Sequence, residues 1–372
     1  MSFGFQFDDS ELDDEYVSLA SAPAPAATPS TSNGDSSSVP QAPYQSYSLD
    51  DMLEHLPSRI SYSSISIPLA SRGTSVQMLR RDLFDARFQM LLDEDEDDKT
   101  SNAAGMDAQV DAQSDLIPGV YEGGLKTWEC ALDLVETLDG LHSGRWSEHF
   151  TGRYILELGC GTALPSLFML TQVLNDRAGV GMTLNLADYN AQVLQLVTLP
   201  NVLLAWWSSA AAAEFRAGAG AQQTALERHE LARRGQDHFD TAPHDVDGHG
   251  ELAITPELVS AFRTSLAEHG VQVNFIAGAW TNFPPPARGM DLILTSETVY
   301  ALPSLAPLVR LLHTYAAADA AVLVAAKVIY FGVGGGVEAF KQTLAQLAPS
   351  AQVASIHTVT RGVGRTVLSV TF

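Results

Sequence analysis

The chain has 372 residues, and 46% of them are hydrophobic, which is enough for the core of one large domain or two smaller ones. Its formal net charge of -23 at pH 7 argues against direct nucleic-acid binding, because that needs a basic face. The two cysteines, Cys130 and Cys160, have neither a metal-binding spacing nor a disulfide framework, so we expect a reducing compartment and no bound metal.

The N-terminal third differs in composition from the rest of the chain. Residues 1–114 are rich in Ser, Pro, Ala and Asp, so we expect them to be mostly disordered, with short segments that dock on the domain. One such segment is 60–90, where strand-like and helix-like pieces occur. The acidic run 93–98 is either a solvated tether or an attractor for a basic partner. The start lacks a secretory layout, and no apolar run reaches membrane-span length, so we expect no membrane contact.

A regular pattern of helices and strands begins at residue 115 and predicts one domain over 115–372. Residues 208–253 interrupt it and are interpreted as a mostly exposed insertion. Thr255 is a good N-cap before Pro256 at a first helical position. The predicted elements are helix 126–138, strand 154–159, helix 164–174, strand 182–187, a helix from 191, helix 256–269, strands 272–277 and 290–295, helix 303–316, strand 321–329, helix 337–347, and strands 351–359 and 366–371.

Alternating strands and helices predict an α/β fold with a parallel sheet. The last two predicted strands are joined by a short Arg-Gly-Val-Gly turn, which favours a hairpin. The expected fold is therefore a doubly wound, Rossmann-like sheet of seven strands that ends in an antiparallel hairpin.

The most informative segment is YILELGCGTALP, residues 154–165. An apolar strand ends in a turn containing Gly159 and Gly161, and a helix follows. Glycines allow a tight turn with close backbone approach to a ligand, and the helix N-terminus offers free N–H groups. The spacing G-x-G-x-A lacks the third glycine of the dinucleotide fingerprint. An ordinary strand-turn-helix corner is the alternative interpretation.

Other candidate site residues follow the ends of later predicted strands, where open α/β sheets bind ligands. Asp188 ends LNLAD and suits a ribose, because a carboxylate accepts hydrogen bonds from both hydroxyls. Trp280, in Gly-Ala-Trp, can cover an adenine face or simply pack in the core. Ser296, Glu297 and Tyr300 follow the strand in DLILTSETVY.

Five motifs together resemble the protein-histidine N-methyltransferase family: YEGGLKTWE, LELGCGTALP, ADYN, SETVY and FGVGGGVEAF. The resemblance runs from Leu116 to the C-terminus apart from the insertion. It implies the seven-strand methyltransferase fold and S-adenosyl-L-methionine as cofactor. It also implies that the substrate is a histidine in a basic large-subunit ribosomal protein. For this family we expect a monomer in the cytoplasm and nucleus.

The resemblance also assigns roles to residues. The implied cofactor-binding residues are Lys126, Thr127, Trp128, Glu129, Gly159, Cys160, Gly161, Asp188, Tyr189, Asn190, Gly278, Ala279, Trp280 and Ser296. Two departures from the family pattern occur: Ala163 stands where a Gly is usual, and Ala279 where an acidic residue is common. Ala279 thereby removes one acceptor for the adenine amino group.

Methyl transfer to neutral imidazole needs positioning rather than a strong base, because the reference pKa of histidine is about 6.5. A hydrogen-bond acceptor on the other ring nitrogen would select the methylated atom, and Glu297, Asn190 and Tyr300 are the candidates. Two alternatives stay open. One is a protein-lysine methyltransferase, and the other is a non-catalytic ribosome assembly factor that binds the cofactor.

Overall fold

The computed structural model describes residues 41–89, 124–142, 146–176, 181–218 and 248–372. Residues Gln41–Phe372 form one compact unit. The acidic run 93–98 and most of the predicted insertion 208–253 lie outside the described residues, as does the stretch before Gln41. The interpretations given to those segments therefore stay predictions.

Most strands of the described chain belong to one sheet. The eleven described strands are β1 Gln45–Ser48, β2 Arg59–Leu69, β3 Thr74–Arg81, β4 Arg153–Leu158, β5 Met182–Asp188, β6 Gly250–Ala253, β7 Val271–Ala277, β8 Met290–Ser296, β9 Ala316–Lys327, β10 Gln352–Val359 and β11 Arg365–Thr371. Eight of them form the main sheet in the order β1-β7-β5-β4-β8-β9-β11-β10. The other three form a small antiparallel sheet in the order β3-β2-β6.

The main sheet has a parallel centre and antiparallel edges. Strands β7, β5, β4, β8 and β9 run parallel as neighbours. Strand β11 runs antiparallel between β9 and β10, so the last two strands form the hairpin. The predicted fold class is thereby confirmed. The predicted strand bounds agree within one residue except for β9, which begins at Ala316 and ends at Lys327.

Helices cover both faces of the main sheet. The labelled helices are α1 Leu49–Leu53, α2 Glu129–His142, α3 Leu164–Asn175, α4 Leu199–Ser208, α5 Pro256–Glu268, α6 Leu302–Tyr315 and α7 Val337–Leu347. One hydrophobic core contains the buried side chains of α2 to α5, and a second contains those of α6 and α7. The central strand β4 contributes Ile155 to the first core and Leu156 to the second, as period-two alternation requires.

Residues 41–89, which lie before the boundary predicted at 115, are part of the compact unit. Strand β1 pairs with β7, and the β2-β3 hairpin packs against α4. The guanidinium of Arg81 is buried and donates to the Leu196 carbonyl at 2.7 Å, while its backbone N–H donates to Asn201 Oδ1 at 2.7 Å. Ile60 and Ile67, in the segment that the sequence predicted to dock on the domain, are fully buried core residues.

The start of helix α5 agrees with the sequence prediction, and the start of helix α2 does not. Thr255 caps α5 as predicted, because its Oγ1 accepts from the Leu258 N–H at 3.2 Å. Helix α2 begins at Glu129 rather than at Lys126, the predicted start, so the three residues before it belong to a loop. That loop faces the glycine turn after β4.

The helical stretch from Ala191 is continuous but irregular. A π-helical turn, Leu194–Thr198, precedes α4. Pro200 follows at the second position of α4 and has no N–H for the hydrogen-bond ladder, which accounts for a widened turn there. In the described part of the chain no single helix meets the length and hydropathy of a membrane span. Ala191–Ser208 and Ala210–Gly218 do so only when joined across a 75° bend.

Candidate active site

The predicted site residues gather at the carboxyl edge of the parallel strands. Gly159 follows β4, Asp188 ends β5, Gly278 follows β7, and Ser296 ends β8. These four strands are neighbours in the order β7-β5-β4-β8, so their ends share one edge of the sheet. This edge is where open α/β sheets bind ligands.

The turn after β4 is a backbone cradle that only glycine fits. Gly159 and Gly161 have φ values of +61° and +48°. A Cβ on Gly161 would lie 3.1 Å from the Gly124 backbone, and a Cβ on Gly159 would lie 2.6 Å from the Thr298 methyl group. Ala163, where the motif resemblance predicts a glycine, is also left-handed, with φ +56°. Glycine is therefore required at positions 159 and 161, because the Gly124 backbone and the Thr298 side chain pack directly against this turn.

The backbone of Cys160 forms part of the turn after β4, and its thiol is directed into the core. Its side chain is buried against the Thr198 hydroxyl, with Sγ and Oγ1 3.8 Å apart. Burial and the nearby Asp188 and Glu157 carboxyls raise the pKa of the thiol. The thiol is thus an inert packing group, and Thr198 Oγ1 in turn donates to the Gly161 carbonyl at 2.7 Å.

Asp188 connects the glycine turn to the loop after β5. Its Oδ2 accepts from the Gly161 N–H at 3.0 Å, and its Oδ1 accepts from the Asn190 N–H at 3.1 Å. The carboxyl group is buried. The residue predicted to bind the ribose therefore also fixes the glycine turn and the loop after β5 relative to each other. Tyr189 lies between Asp188 and Asn190 in the second of these loops.

The predicted adenine loop follows β7. Gly278 has φ +124°, and its N–H donates to the Asp188 carbonyl at 3.2 Å. Ala279 is buried, and Trp280 is half-buried and packs on the core of α6 and α7. The packing interpretation of Trp280 thus has direct support, and a role beside adenine stays a prediction.

The loop before α2 brings the remaining predicted cofactor residues to the same edge. Thr127 Oγ1 donates to Thr162 Oγ1 at 3.2 Å, next to the glycine turn. Trp128 is half-buried, and the Lys327 ammonium lies 5.4 Å from its ring centroid. Lys126 is exposed. The loop therefore contacts the turn through Thr127 and reaches β9 through Trp128.

A charged network joins α2 to the ends of β9 and β11. Glu129 accepts ion pairs from Lys327 at 3.6 Å and from Arg365 at 3.2 Å. Arg365 also binds both oxygens of Asp133, at 2.6 and 3.2 Å. Glu129, which the sequence predicts to bind the cofactor, therefore forms ion pairs with Lys327 and Arg365 in this structure.

Glu297 lies at the centre of a second set of contacts. Its φ is +57°, unusual for a residue with a side chain. Its Oε1 accepts from the Cys130 N–H at 3.4 Å near the start of α2, and its Oε2 accepts from the Tyr330 hydroxyl at 2.6 Å. Burial and the Glu297 carboxylate raise the pKa of Tyr330 well above its ordinary value. Burial also raises the pKa of the Cys130 thiol.

Sequence reasoning missed Lys327 and Tyr330. Lys327 ends β9 and Tyr330 lies three residues later, so the rule that found Ser296 at the end of β8 would have found them too. Tyr300, the other predicted candidate from this region, lies beside Tyr330, with ring centroids 6.4 Å apart. The structure brings Glu297, Tyr300 and Tyr330 together and places Asn190 at the β5 end of the same edge.

Comparisons with known proteins identify similar chains over most of this length. Histidine protein methyltransferase 1 of Schizosaccharomyces pombe is 32% identical over 343 residues, covering 89% of this chain and 86% of its own. The protein of the same name from Saccharomyces cerevisiae is 31% identical, covering 92% of this chain and 90% of its own. A Bos taurus homolog is 30% identical and covers 70% of this chain and 58% of its own. No family model matches the chain.

Solved structures resemble the chain far less closely. The rRNA methyltransferase aviRa from Streptomyces viridochromogenes is 18% identical, with a TM-score of 0.34, and covers 66% of this chain and 86% of its own. A likeness at this level adds nothing to the assignment.

Proposed function

Because this chain belongs to the histidine protein methyltransferase family, we propose that it methylates a histidine of a large-subunit ribosomal protein. The methyl donor is S-adenosyl-L-methionine, which supplies a transferable methyl group on its sulfonium. The observation that carries the proposal is the family relationship over about nine-tenths of the chain. The sheet edge described above supports it, because the expected cofactor residues of four strands converge there.

The cradle after β4 fits the cofactor. Gly159 and Gly161 adopt the left-handed backbone of a tight turn, and Asp188 holds Gly161 and Asn190 close to each other, which supports a ribose position beside them. We assign Gly159 to Gly161 to the methionine end and Asp188 to Asn190 to the ribose. Ser296 is assigned to the wall beyond, and Gly278 to Trp280 to the adenine border.

A histidine acceptor suits this site, because methyl transfer to a neutral imidazole requires correct orientation of the ring more than it requires a base. Near neutral pH the imidazole is mostly neutral, so a ring nitrogen already carries the attacking lone pair. We assign orientation of the acceptor ring to Asn190 and Tyr300. Glu297, with one oxygen on Cys130 and the other on Tyr330, holds α2 and the loop after β9 in place. The nitrogen remote from the substrate backbone is the proposed methylation site.

A ribosomal substrate is supported by charge. The chain carries a formal net charge of -23, and a basic protein partner is attracted to such a surface. Large-subunit ribosomal proteins are the substrates that the motif resemblance implies. We further propose that the protein acts as a monomer in the cytoplasm and nucleus.

The direct test is a search for methylhistidine in ribosomal proteins from cells with and without the gene. We expect one histidine-containing peptide of a large-subunit protein to lose 14 Da of mass on deletion, and the methylated form to return on re-expression. A Gly161→Arg chain is the matched control and should not restore it. If deletion leaves all methylated ribosomal histidines unchanged and removes methylation from a lysine, the chain is a lysine methyltransferase and the proposal is wrong.

A further inference from the structure

A short segment before β1 bridges two of the cofactor loops. The segment, here called the strap, is Gln41–Tyr44. Strand β1 pairs antiparallel with β7, with Gln45 opposite Ala277. The strap therefore continues past the carboxyl end of β7, onto the edge where the cofactor loops lie.

Both backbone groups of Ala42 are used in this bridge. Its N–H donates to the Tyr189 hydroxyl at 3.5 Å, in the loop after β5. Its carbonyl accepts from the Ala279 N–H at 3.0 Å and from Asn282 Nδ2 at 2.8 Å, in the loop after β7. One strap residue thus ties the expected ribose loop to the expected adenine loop.

The sequence of the adenine loop is adapted to the strap. A Cβ added to Gly278 would overlap the Pro43 carbonyl, and Gly278 has φ +124°. The Pro43 carbonyl of the strap therefore occupies the place of a side chain at residue 278. Next along the chain, the edge of the Tyr44 ring packs against Phe283, with centroids 5.3 Å apart. Thr281 also bonds the Gln41 side chain.

We propose that the strap Gln41–Tyr44 is a positioning element of the cofactor site, holding Tyr189 and Ala279 at the spacing that S-adenosylmethionine requires. The inference rests on the proposed function for the identity of the ligand. The strap acts through these loops, and its loss should weaken cofactor binding without changing the chemical step.

The test uses the full chain with Tyr44→Ala and Asn282→Ala, neither of which is an expected cofactor residue. The control is Ser48→Ala, which removes the N-cap of α1 at the other end of β1 and loosens the same segment away from the edge. Calorimetry measures the Kd for S-adenosylhomocysteine. Hydrogen exchange reports release of the Ala279 N–H, and steady-state assays separate KM from kcat.

We expect both test variants to raise the Kd and the cofactor KM by about fivefold or more, from loss of one anchoring contact. The kcat at saturating cofactor should stay within about twofold of wild type. The Ala279 amide should exchange faster in both, whereas Ser48→Ala should leave Kd unchanged.

An unchanged Kd in a variant whose Ala279 amide is released would overturn the inference. An equal rise of the Kd in Ser48→Ala would also overturn it. A wild-type chain that binds no S-adenosylhomocysteine would instead refute the cofactor assignment.

Discussion

The Tyr330 hydroxyl donates a hydrogen bond to Oε2 of Glu297 at 2.6 Å, joining the loop after β9 to the loop after β8. The other carboxylate oxygen of Glu297 receives the Cys130 N–H near the start of α2. Three elements around the site therefore meet on one carboxylate. This arrangement gives a structural reason for an acidic residue in the SETVY motif.

Glu297 should stabilise the fold mainly through its hydrogen bonds and less through its charge. In Glu297→Ala the Cys130 N–H and the buried Tyr330 hydroxyl lose an acceptor, which should lower the free energy of unfolding by about 2–3 kcal/mol. Glu297→Gln keeps an oxygen for Cys130 and should lose less than half as much. Urea denaturation of both variants measures this. Equal losses in the two would show that charge, and not hydrogen bonding, is what matters there.

The glycine cradle can be tested with a substitution that fills it. Gly161→Arg should abolish cofactor binding, because a Cβ at this position would lie 3.1 Å from the Gly124 backbone and the arginine would force the glycine turn and the loop before α2 apart. Gly73→Ala is a matched control, with φ +64° and no neighbouring atom within 4 Å of an added Cβ. It carries the same backbone strain away from the site. Calorimetry with S-adenosylmethionine should show binding in the control and none in Gly161→Arg, and binding in both would remove the cradle from the mechanism.

Buried Glu157 should make stability depend on pH in a defined direction. Burial raises its pKa from 4.5 to about 7, and its Oε2 accepts from the Ser166 N–H at 3.1 Å. Between pH 4.5 and 7 the folded chain therefore binds more protons at this group than the unfolded chain does. The resulting contribution to stability is present below pH 4.5 and falls as the pH rises to 7, by up to about 3 kcal/mol.

The matched variant for this effect is Glu157→Gln, which cannot ionise. Its unfolding free energy should fall less than that of wild type between pH 4.5 and 7.5, as measured by denaturant titration at both pH values. Parallel pH dependences in the two chains would show that Glu157 ionises in the folded protein as it does in water.

Truncation should show where the domain begins. A chain starting at Gln41 keeps β1, β2 and β3 and should fold with a thermal midpoint close to that of the full chain. A chain starting at residue 115 loses the strand that pairs with β7 and the hairpin that packs on α4, so it should not fold cooperatively. Circular dichroism melting compares the three chains. A cooperative transition in the 115–372 fragment would support the boundary predicted at residue 115.

The central sheet could be predicted from sequence because its strands are apolar runs between clear helix and turn patterns. The cofactor edge followed from the same reasoning, since Gly159, Asp188 and Ser296 come directly after such runs. Residues 41–89 were harder to assign. Strand β2, RISYSSISIPL, alternates apolar and serine residues, and its Ser- and Pro-rich surroundings dominated the composition.

Contacts across long stretches of chain could not be predicted at all. Arg365 binds Asp133 across 232 residues, and nothing in either local sequence marks the other as its partner. The bonds of Ala42 to the loop after β7 include a backbone carbonyl and a backbone N–H, which leave no side-chain signature. Only the fold brings these groups together.

The identity of the methylated side chain tests histidine methylation by this chain most directly. The full chain is incubated with large-subunit ribosomal proteins and S-adenosylmethionine labelled in its methyl group, and the labelled protein is hydrolysed in acid and separated by amino-acid analysis. We expect label in methylhistidine, with a rate that falls below about pH 6.5 as the acceptor imidazole is protonated. Label found only in methyl-lysine would contradict histidine methylation while leaving the fold and the cofactor cradle in place.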